Sequence, residues 1–203
     1  AGFIQVGDLA YMRRVGAAPN LPRGEMDPAV SLLSEADLIA RGLALPDRNA
    51  MFVAALERSY IDTKDCPELC GLRTPADVLD SHRLVGKHDP SLWWLVTEQG
   101  RPEGCLLLNV SPEHESVELV YLGLSPALRG RGLGARLLSL GLRHILGFAT
   151  ATADMSPVRR VVGTGGVTCA VDTRNTPAMK LYRAAGFQRF ALRVPMVLGL
   201  ATT

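Results

Sequence analysis

The stretch from Glu118 to Gly134, ELVYLGLSPALRGRGLG, constrains this chain more than any other. An apolar strand pattern runs into a glycine-rich turn, and the turn opens a helix. Glycines let the backbone bend tightly and leave several N–H groups pointing at one spot. The helix N-terminus behind them adds about half a positive charge, and Arg129 and Arg131 carry full charges. Such a segment reads as an anion site, with a pyrophosphate as the expected guest. A P-loop would place Gly-Lys-Ser/Thr at the helix start, but Gly134 is followed by Ala135 and Arg136. A dinucleotide turn would space its glycines GxGxxG and follow them with an acid about 20 residues on. Here the spacing is GxGxG, and Asp154 falls beyond the helix. A plain glycine-rich entry to a core helix remains compatible with the turn alone.

The strands before the turn look antiparallel. Leu92–Thr97 and Cys105–Val110 flank the turn Gln99-Gly100-Arg101-Pro102 and read as a hairpin, and Val117–Leu124 is a third strand. One of the adjacent Trp93 and Trp94 is expected in the core. Residues 132–146 carry a leucine-rich helical pattern. Val167–Val171 reads as a strand, 177–185 as a short helix and Phe187–Leu198 as a final strand region. The connection over 148–166, ending Gly163-Thr164-Gly165-Gly166, is long for a helix-to-strand link and is expected to be a mobile loop. Ahead of this core, residues 1–90 are rich in turn-formers. They hold a weakly signalled strand near 9–15, a helix over 47–60 and a helix over 74–85 that Thr74-Pro75-Ala76-Asp77 would cap. The tripeptide Ala1-Gly2-Phe3 echoes Ala185-Gly186-Phe187, which a lost upstream copy of the fold or chance would produce.

Hydrophobic residues make up 47% and charged residues 21%, so the chain can bury a core; aromatics are only 5%, so Leu, Val and Ala must supply it. A net charge of +2 gives no whole-protein electrostatic case for nucleic acid or a membrane surface. No run approaches the roughly 18 apolar residues of a membrane span, and the N-terminus lacks the pattern of a secretory signal. The four cysteines are too few for a disulfide scaffold, so a cytoplasmic setting is expected. Cys66 and Cys70 lack a nearby second Cys/His pair, and their spacing suits a helical turn better than a metal site.

The second informative run is Asn175-Thr176-Pro177-Ala178-Met179-Lys180-Leu181-Tyr182-Arg183-Ala184-Ala185-Gly186-Phe187. Asn175 or Thr176 caps a helix, Pro177 starts it and Gly186 closes it. Together with Arg129-x-x-Gly132-x-Gly134, this run resembles the GNAT superfamily of acyl-coenzyme A N-acyltransferases over roughly residues 91–198. The resemblance implies an α/β fold of the α+β kind: a mixed, mostly antiparallel central sheet, helices on both faces, and strands four and five splayed apart. Residues 1–203 would form one domain, with a helical and loop-rich part over 1–90 and the acyl-coenzyme A-binding core over 91–198. It also implies acetyl-coenzyme A as co-substrate, without a metal. The pantetheine arm would lie along Leu122 and Leu124, with Asn175 near it. The pyrophosphate would sit on the amides of Arg129, Gly130, Arg131, Gly132, Leu133 and Gly134.

Acyl transfer to an amine must remove a proton from an ammonium of pKa about 10, stabilise an oxyanion and protonate a leaving thiolate. Glu118 stands ahead of Arg129 at the offset where a branch of the superfamily carries its general base. On a regular strand it would share a face with Val120, Leu122 and Leu124. An ordinary strand carboxylate would read the same, and Glu113 and Glu115 in the preceding turn are weaker substitutes. Tyr182 resembles the family's proton donor to the thiolate, although a core aromatic would also fit. The amide of Leu124 would serve the oxyanion. The loop Asp65–Cys70 is expected to touch the acceptor. The reading is an N-acyltransferase, most simply an N-acetyltransferase, acting on a primary amine in a ternary complex. The acceptor and oligomeric state are not encoded legibly. The alternative is an acyl-coenzyme A-binding module without catalysis.

Overall fold

Trp93 and Trp94 are neighbours in the chain, and both are buried, at 0% and 5% exposure. Successive side chains on a strand point to opposite faces, so the sheet that carries them is covered on both sides. The expectation of a single core tryptophan is thereby corrected.

The computed structural model describes residues 2–16, 27–150 and 166–198, with backbone only over 146–150. Its strands are β1 (Phe3–Gln5), β2 (Leu9–Arg14), β3 (Val30–Ser34), β4 (Trp93–Glu98), β5 (Arg101–Ser111), β6 (Ser116–Leu124), β7 (Val167–Asp172), β8 (Gln188–Arg193) and β9 (Met196–Leu198). Its helices are α1 (Glu35–Ala40), α2 (Leu45–Tyr60), α3 (Pro75–Leu84), α4 (Leu133–Thr150) and α5 (Thr176–Ala184). The main sheet has seven strands in the order β3-β4-β5-β6-β7-β2-β8, and β1 pairs with β9 in a separate ribbon. Among the described residues, β6 and β7 alone run parallel; the other neighbours are antiparallel. The mixed sheet with helices on both faces is the architecture expected from the sequence.

Phe52, Leu56 and Leu79 of α2 and α3 pack with Trp93, Leu95 and Leu107 on one face. Leu137, Leu142 and Ile145 of α4, with Met179 and Tyr182 of α5, pack with Trp94, Leu106 and Val117 on the other. The anticipated capping box forms: Asp77 N donates to Thr74 Oγ1 at 3.1 Å, and Thr74 N donates to Asp77 Oδ2 at 3.2 Å. Ser34 and Asp37 build a second one at the start of α1. The helix expected over 132–146 begins at Leu133 and runs on to Thr150. The loop beyond it lies mostly outside the described residues, as does Ala1 of the tripeptide echo. The final strand region divides at Val194-Pro195 into β8 and β9. Edge strand β3 carries a weak pattern and was not anticipated.

Helices α1, α2 and α3 are tied through Glu35, which is 1% exposed. Its carboxylate accepts Arg48 Nε at 3.3 Å, Arg83 Nη2 at 3.3 Å and His88 Nε2 at 2.8 Å. Burial pushes this carboxyl up, but His88, Arg83 and Arg48 together hold it below its ordinary value.

Two irregularities position the site. First, β6 and β7 pair only from Val117–Val167 to Leu119–Cys169, after which the strands part. Second, Tyr121 opposes Leu107 while Leu119 opposes Leu108, so Val120 is an extra residue on β6. Such a bulge shifts the alternation of faces. Leu119, Leu122 and Leu124 pack on the α4 side, whereas Val120 and Tyr121 pack on the α2 side.

Candidate active site

Beyond Leu119 the gap between β6 and β7 opens into a cavity of about 580 Å³, a volume typical of ligand sites. Its walls are the backbone of β6, the 129–134 turn with the start of α4, the end of β7, Asn175 with α5, and the loop after α2. Ser125 N donates to Glu103 O at 2.7 Å. In that register Gly123 and Tyr121 direct their polar groups to β5, and the intervening residues direct theirs away from it. The amides of Leu122 and Leu124 therefore face the gap that β7 has vacated. The splay thus presents a strand edge with no partner strand.

The glycine turn has the form inferred from sequence. Gly130 and Gly132 adopt φ of +75° and +74°, which favours glycine. A Cβ at either would meet nothing within 4 Å. Among the described residues, the amides of 130–135 have no protein acceptor; the first helical bond runs from Arg136 N to Gly132 O at 3.3 Å. Free amides at a helix start favour an anion. Gly130, Gly132, Leu133 and Gly134 line the cavity.

The arginine side chains act differently from the expectation that they add charge to the anion site. Arg129 donates to the carbonyls of Leu124, Asp62, Ser59 and Ile61 at 2.9, 3.3, 3.0 and 2.7 Å. It caps the carbonyl end of α2. Arg131 is ion-paired with Glu98 at 2.6 Å and Asp27 at 2.7 Å and does not line the cavity. The turn presents backbone rather than guanidinium to its guest.

Tyr182 lines the cavity from α5 and packs against Phe187. Burial, with smaller effects from Cys169 and Asp65, holds its phenol well above its ordinary value, so it keeps its proton at neutral pH. Asn175 lines the same cavity, and its Oδ1 caps α5 by accepting Ala178 N at 3.2 Å. Glu118 sits differently from expectation. The bulge at Val120 places it on the face opposite Leu122 and Leu124, beside Asn109 of β5. It is half-buried and does not line the cavity. Burial raises its carboxyl, and His114 opposes that shift. Glu113 flanks the far end of the strand in a one-turn helix over Pro112–His114, and Glu115 follows it.

Among the described residues, the acidic ones that line the cavity are Asp62 and Asp65, from the loop after α2. Sequence reasoning reached this loop only by its place in the chain. Pro67–Leu69 forms a single 3-10 turn between Cys66 and Cys70. Among the described residues, no group of three or more His, Cys, Asp or Glu is placed to hold a metal ion. No described helix is long and apolar enough to cross a membrane.

Comparison with known proteins agrees with this geometry. The acetyltransferase (GNAT) domain family matches residues 89–189. A mycothiol acetyltransferase of Beutenbergia cavernae is 33% identical over 199 residues, which span 94% of this chain and 61% of that protein. One from Gordonia bronchialis is 26% identical over 197 residues, 95% of this chain and 55% of that protein. The chain thus spans little more than half the length of these relatives. Among solved structures, a GCN5-related N-acetyltransferase from Sphaerobacter thermophilus superposes with a TM-score of 0.55 at 20% identity, covering 95% of this chain and 51% of that one. With its splayed strands, its amide-lined turn and these matches, the chain belongs to the GNAT acetyltransferase family.

Proposed function

We propose that this protein transfers an acetyl group from acetyl-coenzyme A to a primary amine, with both substrates bound at once. The observation that carries the reading is the edge of β6 at Leu122 and Leu124, which no described strand pairs, in one cavity with the free amides of the turn before α4 and with Tyr182. An extended pantetheine arm can add to such an edge as a strand would. The turn from Arg129 to Gly134 would hold the pyrophosphate through backbone amides, and Asn175 would border the arm. The co-substrate supplies the thioester. The chain supplies the amide of Leu124 for the developing oxyanion and the protonated Tyr182 for the departing sulfur. The names of the related proteins support acetyl as the group carried.

Calorimetric titration with acetyl-coenzyme A, alongside thiol release against a panel of primary amines, tests the proposal. Binding with amine-dependent release is expected. Binding without release for every amine would favour the non-catalytic module, and absence of binding would remove both readings.

A further inference from the structure

Beside a proton donor for the sulfur, transfer to an ammonium needs a group that takes a proton from the nitrogen. Two described acidic residues line the cavity, Asp62 and Asp65. The Asp62 carboxylate makes no hydrogen bond among the described residues, whereas Asp65 is held in place. Its Oδ1 accepts the backbone N–H of Asp172 at 2.8 Å. In return, Asp172 Oδ2 accepts the N–H of Cys66 at 3.2 Å. Cys66 adopts φ 43°, in the left-handed region. Asp172 is fully buried and gripped by Arg174, whose guanidinium also meets both oxygens of Glu68 at 2.6 and 2.8 Å. The loop is therefore clamped to the end of β7 on one side and held by Arg129 on the other. The second oxygen of Asp65 has no partner among the described residues.

We propose that Asp65 is the catalytic base, its unpartnered oxygen binding the acceptor's ammonium in the cavity and taking its proton. This rests on the acetyltransferase reading above. The N–H proton passes to Asp65, and the freed lone pair forms the C–N bond to the thioester carbonyl carbon. The C–S bond breaks with its electron pair on sulfur, which takes a proton from Tyr182. Tyr182 regains one from the nitrogen, and Asp65 releases its own to solvent, so one proton leaves per turnover. Asp65 lines the cavity and is exposed there, and desolvation still raises its carboxyl, with the Asp172 amide opposing the rise and the Asp172 carboxylate adding to it. Its charge is felt at Tyr60 of α2, Tyr121 of β6, Cys169 of β7 and Tyr182 of α5. Asp62, Lys64, Cys66 and Glu68 flank it on its own loop, with Arg174 at the end of β7. Glu118, by contrast, does not figure among the charges acting on Tyr182.

The test uses Asp65→Asn, whose side-chain oxygen can still accept from Asp172, with L-alaninamide and L-cysteinamide as probe amines and loss of the thioester absorbance as the readout. A fall of roughly 100-fold or more in kcat/KM for the amine is expected at neutral pH, with acetyl-coenzyme A affinity unchanged. The defect should shrink as pH approaches about 10, where the amine deprotonates itself. Asp65→Glu should restore part of the rate. Undiminished turnover in Asp65→Asn, or a pH-dependent loss found in Glu118→Gln instead, overturns the proposal. A wild type that fails to bind acetyl-coenzyme A overturns the underlying reading and this proposal with it. A second measurement needs no turnover: carbon-13 NMR of the aspartate carboxyls, with Asp65→Asn identifying the resonance. In protein loaded with coenzyme A, the Asp65 carboxyl should titrate above about 4 and shift on addition of L-alaninamide. Titration at or below about 4 with no shift overturns the assignment.

Discussion

The guanidinium of Arg129 donates to the carbonyl of Ile61 at 2.7 Å, which joins the glycine turn to the loop that follows α2. One residue of the anion-site motif thus braces the opposite wall of the cavity. Arg129→Ala should expose the carbonyl end of α2 and cost about 1–2 kcal/mol, read as a lower Tm. The amine KM should rise more than the dissociation constant of acetyl-coenzyme A, because the amides that face the pyrophosphate stay in place. An equal loss in both would assign the guanidinium to the anion.

Gly132→Asp puts a side chain into the open space beside the free amides, on a residue with φ +74°. A carboxylate there repels a phosphate and occupies its path. Calorimetry should show loss of coenzyme A binding in a folded protein, with a backbone cost of about 1–2 kcal/mol. Unchanged affinity would remove the turn from the site.

Tyr182→Phe keeps the packing against Phe187 and removes only the hydroxyl. Turnover should fall roughly 10- to 1000-fold while acetyl-coenzyme A still binds. Since the phenol stays protonated through neutral pH, the wild-type rate should show no loss from its ionisation until strongly basic pH. Full activity in the variant would leave Tyr182 as a packing residue.

Glu35→Gln tests the core away from the site. The change leaves Arg48, Arg83 and His88 without their shared charge and should destabilise by about 3 kcal/mol at neutral pH. Glu35 titrates below its unfolded value, so its contribution is fully present above about 5 and is lost as pH falls through the folded value. The gap between the two unfolding curves should therefore close toward acid pH. A gap that stays constant with pH would mean that the network acts through shape alone.

The sequence by itself determined the features made by local chemistry. Gly130 and Gly132 were legible because positive φ favours glycine, and Thr74, Asp77 and Asn175 because caps are satisfied within a few residues. The hairpin of β4 and β5, the long leucine-rich helix and the Asn175–Phe187 run were legible for the same reason. The tertiary structure decided what depends on partners distant in the chain. One inserted residue at Val120 turned Glu118 away from Leu122 and Leu124, because strand alternation survives only while the ladder stays in register. The guanidinium of Arg129 went to the end of α2 rather than to the anion site, because the carbonyls of Ser59, Ile61 and Asp62 have no other donor among the described residues. Asp65 reached the cavity through Asp172, more than a hundred residues away, and no local pattern encodes that pairing.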